Sequence, residues 1–379
     1  MNIVELEKII AQIKRYQLED NIRNIEKWLG KLNKKQIKNF ISLEIYPLKP
    51  REKLKSLLVS AKALNGDYYL EDIKLINEAK NVEIAYWLSN VAMNANSLES
   101  EYHREDMKLI AAIKNDVIAN CLSSVACSKD SLESKCHRED MKLIAEAKNS
   151  GIANYLSSVS MNVNSLESEH HREDMKMIAA AKNNVIANDL SSVSMNVYSL
   201  ESEHHREDMK LIEDAKTNVI ANYLSDVSMD ADSLESEYHR EDMKLIADAK
   251  TDVIANYLSR VSTNAYSLES EYHREDMKLI ADAKNSGIAN YLSSLSMSVN
   301  SLESGHHKED MKLIADEKNA RAANKIYYNI IRQYEFKNEK EESNYVTFQE
   351  KIDAIHQNAI EYTDGDTTKE LDDSVFTLK

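Results

Sequence analysis

Residues 233–266 read SLESEYHREDMKLIADAKTDVIANYLSRVSTNAY, and nearly the same 34 residues begin again at Ser97, Ser131, Ser165, Ser199, Ser267 and Ser301. A fixed period of this length marks a stacked repeat protein, in which each copy is one supersecondary unit that cannot bury its apolar side alone. A more diverged copy starts at Ala63, with Leu64, Glu71, Asp72, Ile73, Lys74, Leu75 and Ile76 in register, and the copy opening at Ser301 departs after Lys318. Counting both ends, eight units result.

Within the copy 97–130 the apolar spacing predicts a first helix from about Tyr102 to Lys114 and a second from about Asp116 to Cys127. Ser, Asn and Asp at 94–100 supply a turn and an N-cap, and Asn115 sits where a short inter-helix turn is needed. In the second helix Ile118, Leu122 and Val125 share one face, with Asn120, Ser123 and Ser124 opposite. The first helix has a wide apolar arc: Tyr102, Met107, Leu109, Ile110, Ala111 and Ile113. So wide an arc must touch the neighbouring copy as well as its own partner helix, which is the physical reason to stack. The small residues Ala119 and Ala126 would let adjacent helices come close.

Two prolines, Pro47 and Pro50, and six glycines among 379 residues favour long helices over a turn-rich β architecture. The expected fold is therefore all-α: a right-handed α-solenoid of about eight helix-turn-helix repeats with helical caps. Residues 1–62 read as a basic N-terminal cap of amphipathic helices and 63–334 as the repeat array with an altered last unit. Residues 335–379 read as an acidic C-terminal helix followed by a disordered tail. The second helix of the last unit, ARAANKIYYNIIRQYEF, is longer and more polar, as an end that faces water should be.

The net charge of −16 is uneven: residues 1–62 hold 14 Lys and Arg against 7 Asp and Glu, whereas residues 301–379 hold 11 against 17. The array is thus acidic, which disfavours phosphate backbones and anionic membrane surfaces and steers basic proteins or peptides towards it. The lysines between Lys27 and Lys38 lack the interleaved aromatics of a nucleic-acid site. Three cysteines, Cys121, Cys127 and Cys136, stand where other copies have Tyr, Met or His, so a reducing, cytoplasmic setting without disulfides is expected. No apolar run approaches membrane-spanning length.

Comparing the copies with one another isolates positions that stay fixed while neighbours vary. The aspartate of the RED triplet recurs as Asp72, Asp106, Asp140, Asp174, Asp208, Asp242, Asp276 and Asp310, inside the apolar arc. A half-buried carboxylate there needs donors, from first-turn amides or from a neighbouring unit. A histidine ladder, His103, His137, His171, His205, His239, His273 and His307, lies three residues before each of these from Asp106 on, and a second His stands at 170, 204 and 306. Histidine and aspartate at i and i+3 share a helix face, so a local pair is open to them. Ladder histidines one unit apart are too distant to share an ion, so neither metal nor other cofactor is expected. Acidification towards pH about 6.5 would be felt by the stack if these rings are buried.

An asparagine ladder follows on the second helix: Asn120, Asn154, Asn188, Asn222, Asn256, Asn290 and Asn324. Asn is a poor interior helix residue, so something must compensate. One reading is an amide bonded to the turn of the next unit. The other is a row of amides that bonds the backbone of an extended peptide, with the adjacent variable position (Trp87, Cys121, Tyr155, Asp189, Tyr223, Tyr257, Tyr291) selecting side chains. The invariant lysine, Lys80, Lys114, Lys148, Lys182, Lys216, Lys250, Lys284 and Lys318, closes the first helix and complements its C-terminus.

In length and layout the unit is similar to the tetratricopeptide repeat, over residues 63 to about 334, although HREDMKLI and IANYLS replace that family's Trp, Gly and Pro positions. The asparagine row resembles the peptide-binding asparagines of armadillo repeats. These resemblances imply an α-solenoid that binds protein along one face. No phosphate loop, nucleophile elbow or metal motif argues for catalysis. The expectation is a non-enzymatic scaffold for a protein or peptide partner; an acidic nucleic-acid mimic that occupies a nucleic-acid-binding protein is the alternative.

Overall fold

The computed structural model describes residues 68–335. The expected N-terminal cap and C-terminal helix and tail lie outside the described residues, as do residues 63–67 of the first repeat. The described residues form 23 α-helices and no strand, arranged as an α-solenoid of regularly packed neighbours. They divide into two compact units between Met229 and Asp230. The first holds five helical hairpins and the second three. No described helix is long and apolar enough to cross a membrane.

From the second copy on, each repeat has one helix more than its spacing predicts. In the fourth copy the first helix is His171–Ala180, the second Asn184–Val193, and a one-turn helix, Val163–Glu167, precedes them where a turn was expected. The invariant SLES motif explains the extra turn. Asn162 accepts from the backbone N–H of Ser165, capping the short helix, and Ser168 accepts from the N–H of His170, turning the chain into the first long helix. The second helices start at a matching cap: the side chain of Asn149, Asn183, Thr217, Thr251 or Asn285 accepts from the backbone N–H three residues on. Removing one such cap costs about 1 kcal/mol.

The buried stripe of the first helix is narrower than its apolar arc and half of it is polar. In the copy at 103–112 the residues that lose all or nearly all solvent contact are His103, Asp106, Met107 and Ile110, at i, i+3, i+4 and i+7; Leu109, Ala111, Ile113 and Tyr102 stay half-buried. The second helix buries Ile118, Ala119, Leu122, Val125 and Ala126. Full burial of a Leu or Val side chain is worth about 1.5–3 kcal/mol, so apolar packing supplies the gross stability. Within each unit, second helices pack on second helices of the adjoining repeats. Ala119, Ala153, Ala187 and Ala221 have no exposed surface, and the hydroxyls of Ser123, Ser157 and Ser225 donate to the carbonyls of Trp87, Cys121 and Asp189 in the helix before. Small side chains there let the backbones come within reach of a seryl hydroxyl.

Candidate functional site

The HRED tetrad is a zipper between copies. His103 lies three residues from Asp106 in sequence, yet its Nε2 meets Oδ2 of Asp72, in the preceding repeat, at 2.9 Å. His137 meets Asp106 at 3.0 Å, His171 meets Asp140 at 2.9 Å and His205 meets Asp174 at 3.0 Å. In the second unit His273 meets Asp242 and His307 meets Asp276, both at 2.8 Å. The local i, i+3 pair open to the sequence is therefore replaced by a partner 31 residues back. The reason is stacking register: the start of one first helix lies against the start of the one before, and the two side chains fill the same buried stripe.

The other ring nitrogen is taken as well. Nδ1 lies 2.9–3.0 Å from the hydroxyl of the first SLES serine at Ser97–His103, Ser131–His137, Ser165–His171, Ser199–His205, Ser233–His239 and Ser267–His273. An ionised carboxylate can only accept, so Nε2 donates to the aspartate; a neutral ring then accepts the seryl O–H at Nδ1. Serine, histidine and aspartate in one chain of bonds have the members of a hydrolytic triad, but these serines and histidines are sealed. Ser97, Ser131, Ser165 and His103 have no exposed surface, so no substrate reaches the hydroxyl. Burial pushes the carboxyls of Asp106 and Asp276 above the ordinary range, and the His137 and His307 rings beside them pull the other way. Asp208 and His239 are equally buried.

The middle of the tetrad pairs outside this buried rung. Arg104 meets Glu71, Arg138 meets Glu105, Arg172 meets Glu139 and Arg206 meets Glu173 at 2.8–3.0 Å; Arg274 meets Glu241 at 2.9 Å. These pairs are exposed. Within each unit the His-Arg of a copy thus grips the Glu-Asp of the copy before. The residue ahead of each ladder histidine adds a ring: Tyr102 packs on His137, His170 on His205, Tyr238 on His273 and Tyr272 on His307, with centroids 4.7–4.9 Å apart. This gives the second histidine at 170 the stacking position that tyrosine holds in other copies.

The two ends of the array follow the same logic. The first copy keeps Glu71 and Asp72 but has Tyr69 and Leu70 in place of His and Arg. The last copy has Asp310 with no further ladder histidine, and the hydroxyl of Tyr334, on the long helix Ala320–Glu335, donates to Asp310 and bonds Ser304 at 3.0 Å. Burial, opposed by that Tyr334 bond, pushes the Asp310 carboxyl up to about 6. Three of the invariant lysines also act one repeat away from where the sequence places them. Lys80 Nζ reaches the Ala112 carbonyl at 2.5 Å, Lys148 that of Ala180 at 2.8 Å and Lys284 that of Asp316 at 2.6 Å. Each caps the first helix of the following copy and sits outside its own, which ends two or three residues earlier.

The second-helix face differs in kind. Asn154, Asn188 and Asn222 are exposed, and Asn120, Asn256, Asn290 and Asn324 half-exposed. Among the described residues no hydrogen-bond partner meets the side-chain amides of Asn120, Asn154 and Asn290. Asn188 donates to Asp189 at 3.4 Å, and the side chain of Asn222 also bonds Asp189. Oδ1 of Asn324 is buried without a partner. Beside this row Tyr155, Tyr223, Tyr257 and Tyr291 are half-buried, whereas Asp189 and Cys121 at the same register are 2% and 3% exposed. In the second unit Tyr291 stacks on Tyr327 at 5.3 Å, Tyr327 meets Tyr328 edge-on at 5.4 Å, and Tyr257 and Tyr328 act on Tyr291 electrostatically.

Cys121, Cys127 and Cys136 are free thiols; burial pushes that of Cys127 up to about 11, which keeps it protonated and unreactive. No group of three or more His, Cys, Asp or Glu side chains among the described residues converges as a metal site would require. The sequence reading missed the SLES serines, although their invariance was visible, and it missed Tyr334, whose role appears only once the last helix folds back onto Asp310. Comparison with protein-family models, with curated proteins and with solved structures finds nothing that this chain matches.

Proposed function

We propose that the chain is a non-enzymatic, tetratricopeptide-like scaffold of the cytoplasm that binds a protein segment in extended conformation along its second-helix face. The observation that carries this reading is the open amides of Asn120, Asn154 and Asn290. The histidine and aspartate ladders are by contrast engaged within the chain in buried rungs, and Lys80, Lys148 and Lys284 of the lysine ladder bond helix-end carbonyls. A helix-interior asparagine whose side chain bonds nothing costs about 0.5 kcal/mol or more relative to alanine, and a repeated cost calls for a compensating interaction outside the chain. An amide carries one acceptor and two donors, the complement of an extended backbone, and the neighbouring tyrosines provide flat apolar surface for its side chains. The alternative, an acidic mimic of nucleic acid, needs carboxylates free at regular spacing. The two acids of the tetrad are instead engaged with the following copy, which leaves that reading the exposed SLES glutamates, Glu167, Glu201, Glu235, Glu269 and Glu303, as its support.

Selection from a random peptide display library on the full chain, beside the triple variant Asn120→Ala, Asn154→Ala and Asn290→Ala, tests the proposal. Peptides enriched by the parent and lost by a variant of unchanged melting temperature support it. Equal enrichment by both moves recognition to another surface. Enrichment that vanishes as salt rises from about 50 to 200 mM, whatever the peptide sequence, would favour the mimic.

A further inference from the structure

The residue after the ladder asparagine is aromatic in most copies, and Asp189 is the one acid of that series. It occupies the register position that Tyr155 fills one repeat earlier and Tyr223 one repeat later. Its side chain is 2% exposed, and while Oδ1 receives the long 3.4 Å bond from Asn188, Oδ2 is buried with no donor. Asp106, Asp140, Asp174, Asp242 and Asp276, the comparably buried ladder aspartates, each have an imidazole on the carboxylate. The groups acting on Asp189 are the Asn188 and Asn222 amides and the Asp226 carboxylate, none of them a cation. Burial raises both carboxyls, and Asp226 raises Asp189 further. A buried carboxylate short of donors, with a second acid beside it, lacks a positive partner.

We propose that Asp189 is the receptor for a basic side chain, lysine or arginine, carried by the polypeptide that lies on the second-helix face. This rests on the peptide-scaffold reading and specifies the chemistry of one position within it. Asp189 is shorter than the tyrosines at the same register of the copies on either side, and the faces of Tyr155 and Tyr223 are suited to flank a cation that reaches it. The exposed Asn222 amide, which now covers part of Asp189, is the group that turns aside when the guest arrives. An ammonium or guanidinium would supply the donor that Oδ2 lacks, and Asp226 at the rim would add attraction. A bare metal ion fits less well, since no third carboxylate, imidazole or thiolate converges there.

Two measurements on the full chain test this. In the first, the protein is labelled with 13C at aspartate carboxyls, the Asp189 signal is identified by its loss in Asp189→Asn, and its titration is followed with and without excess N-acetyl-arginine amide. A titration midpoint that falls when the probe is present supports the receptor; an unmoved midpoint at saturating excess overturns it, whatever the peptide selection gives. In the second, peptide selection is repeated with Asp189→Asn and with Asp189→Tyr, which restores the side chain of the neighbouring copies. A Lys or Arg at a fixed position of the parent's peptides, absent from those of both variants and worth at least about tenfold in affinity for the parent, supports the proposal. Identical peptides from parent and variants overturn it and leave the scaffold standing; no peptides from the parent, with an unmoved midpoint, sinks both.

Discussion

The first-helix edge and the second-helix face of each repeat are both built from residues that recur every 34 positions, yet they use their polar groups in opposite ways. Along the first-helix edge, His171, Arg172, Glu139 and Asp140 find their partners inside the chain. Along the second-helix face, Asn154 finds none among the described residues. Recurrence therefore has two meanings in one molecule. On one edge it records a bond made between successive copies of a unit, and on the other, at Asn120, Asn154 and Asn290, an amide left unbonded among the described residues.

The most damaging change should be at a buried rung. His171→Ala leaves the carboxylate of Asp140 and the hydroxyl of Ser165 buried and unpaired, and removing one member of a buried pair costs about 3–5 kcal/mol. Urea unfolding with hydrogen exchange on the helices His137–Ala145 and His171–Ala180 measures it; a loss under about 1 kcal/mol would make the zipper decorative.

Next comes the terminal rung. Tyr334→Phe removes the donor from Asp310 and should cost about 1–3 kcal/mol, read as lost exchange protection in the helix Ala320–Glu335. The pH dependence has a definite sign. The folded Asp310 carboxyl lies at about 6, above its ordinary 3.8, so the folded state binds the proton more readily than the unfolded one. Stability from this group is fully present below about pH 4 and is lost as pH rises through about 6. The half-exposed Glu71 and Glu241 and the exposed Glu275, lowered by hydrogen bonds from Lys108, Lys278 and Lys308, act oppositely and more weakly, losing stability as pH falls below their ordinary 4.5. Thermal melts of the parent and Asp310→Asn between pH about 4 and 7 should differ in slope; parallel curves would mean that Asp310 does not set the pH response.

Smaller still is the outer pair. Arg172→Ala breaks an exposed contact with Glu139 and should cost under about 1 kcal/mol, with the difference shrinking in about 0.5 M salt. Smallest, and of opposite sign, is Asn154→Ala, which should leave the melting temperature unchanged or raise stability by about 0.5 kcal/mol through helix propensity. A clear destabilisation would mean that Asn154 serves the fold itself and would merge the two faces into one.

Much of this was readable from the residues. The 34-residue period dictates a stacked helical array, and Ile118, Leu122 and Val125 mark the buried side of the second helix because their spacing matches a helical turn. Invariance alone flagged the histidine, aspartate, asparagine and lysine ladders. The first-helix arc misled, since Leu109 and Ile113 are apolar but half-exposed, while the polar His103 and Asp106 are sealed beside Met107 and Ile110.

What the sequence by itself determined is thus the repeat, its helices and the positions that matter. Only the tertiary structure decided what those positions do. His103 bonds Asp72 and not Asp106, Lys80 caps the helix that ends at Ala112 and not its own, and Tyr334 stands in for a missing histidine. Periodicity fixes which face of a helix is buried, but a hydrogen bond forms between whatever groups the stacking register brings within about 3 Å. That register is a property of packed neighbours, and it selects partners 31 to 36 residues apart that no local pattern distinguishes.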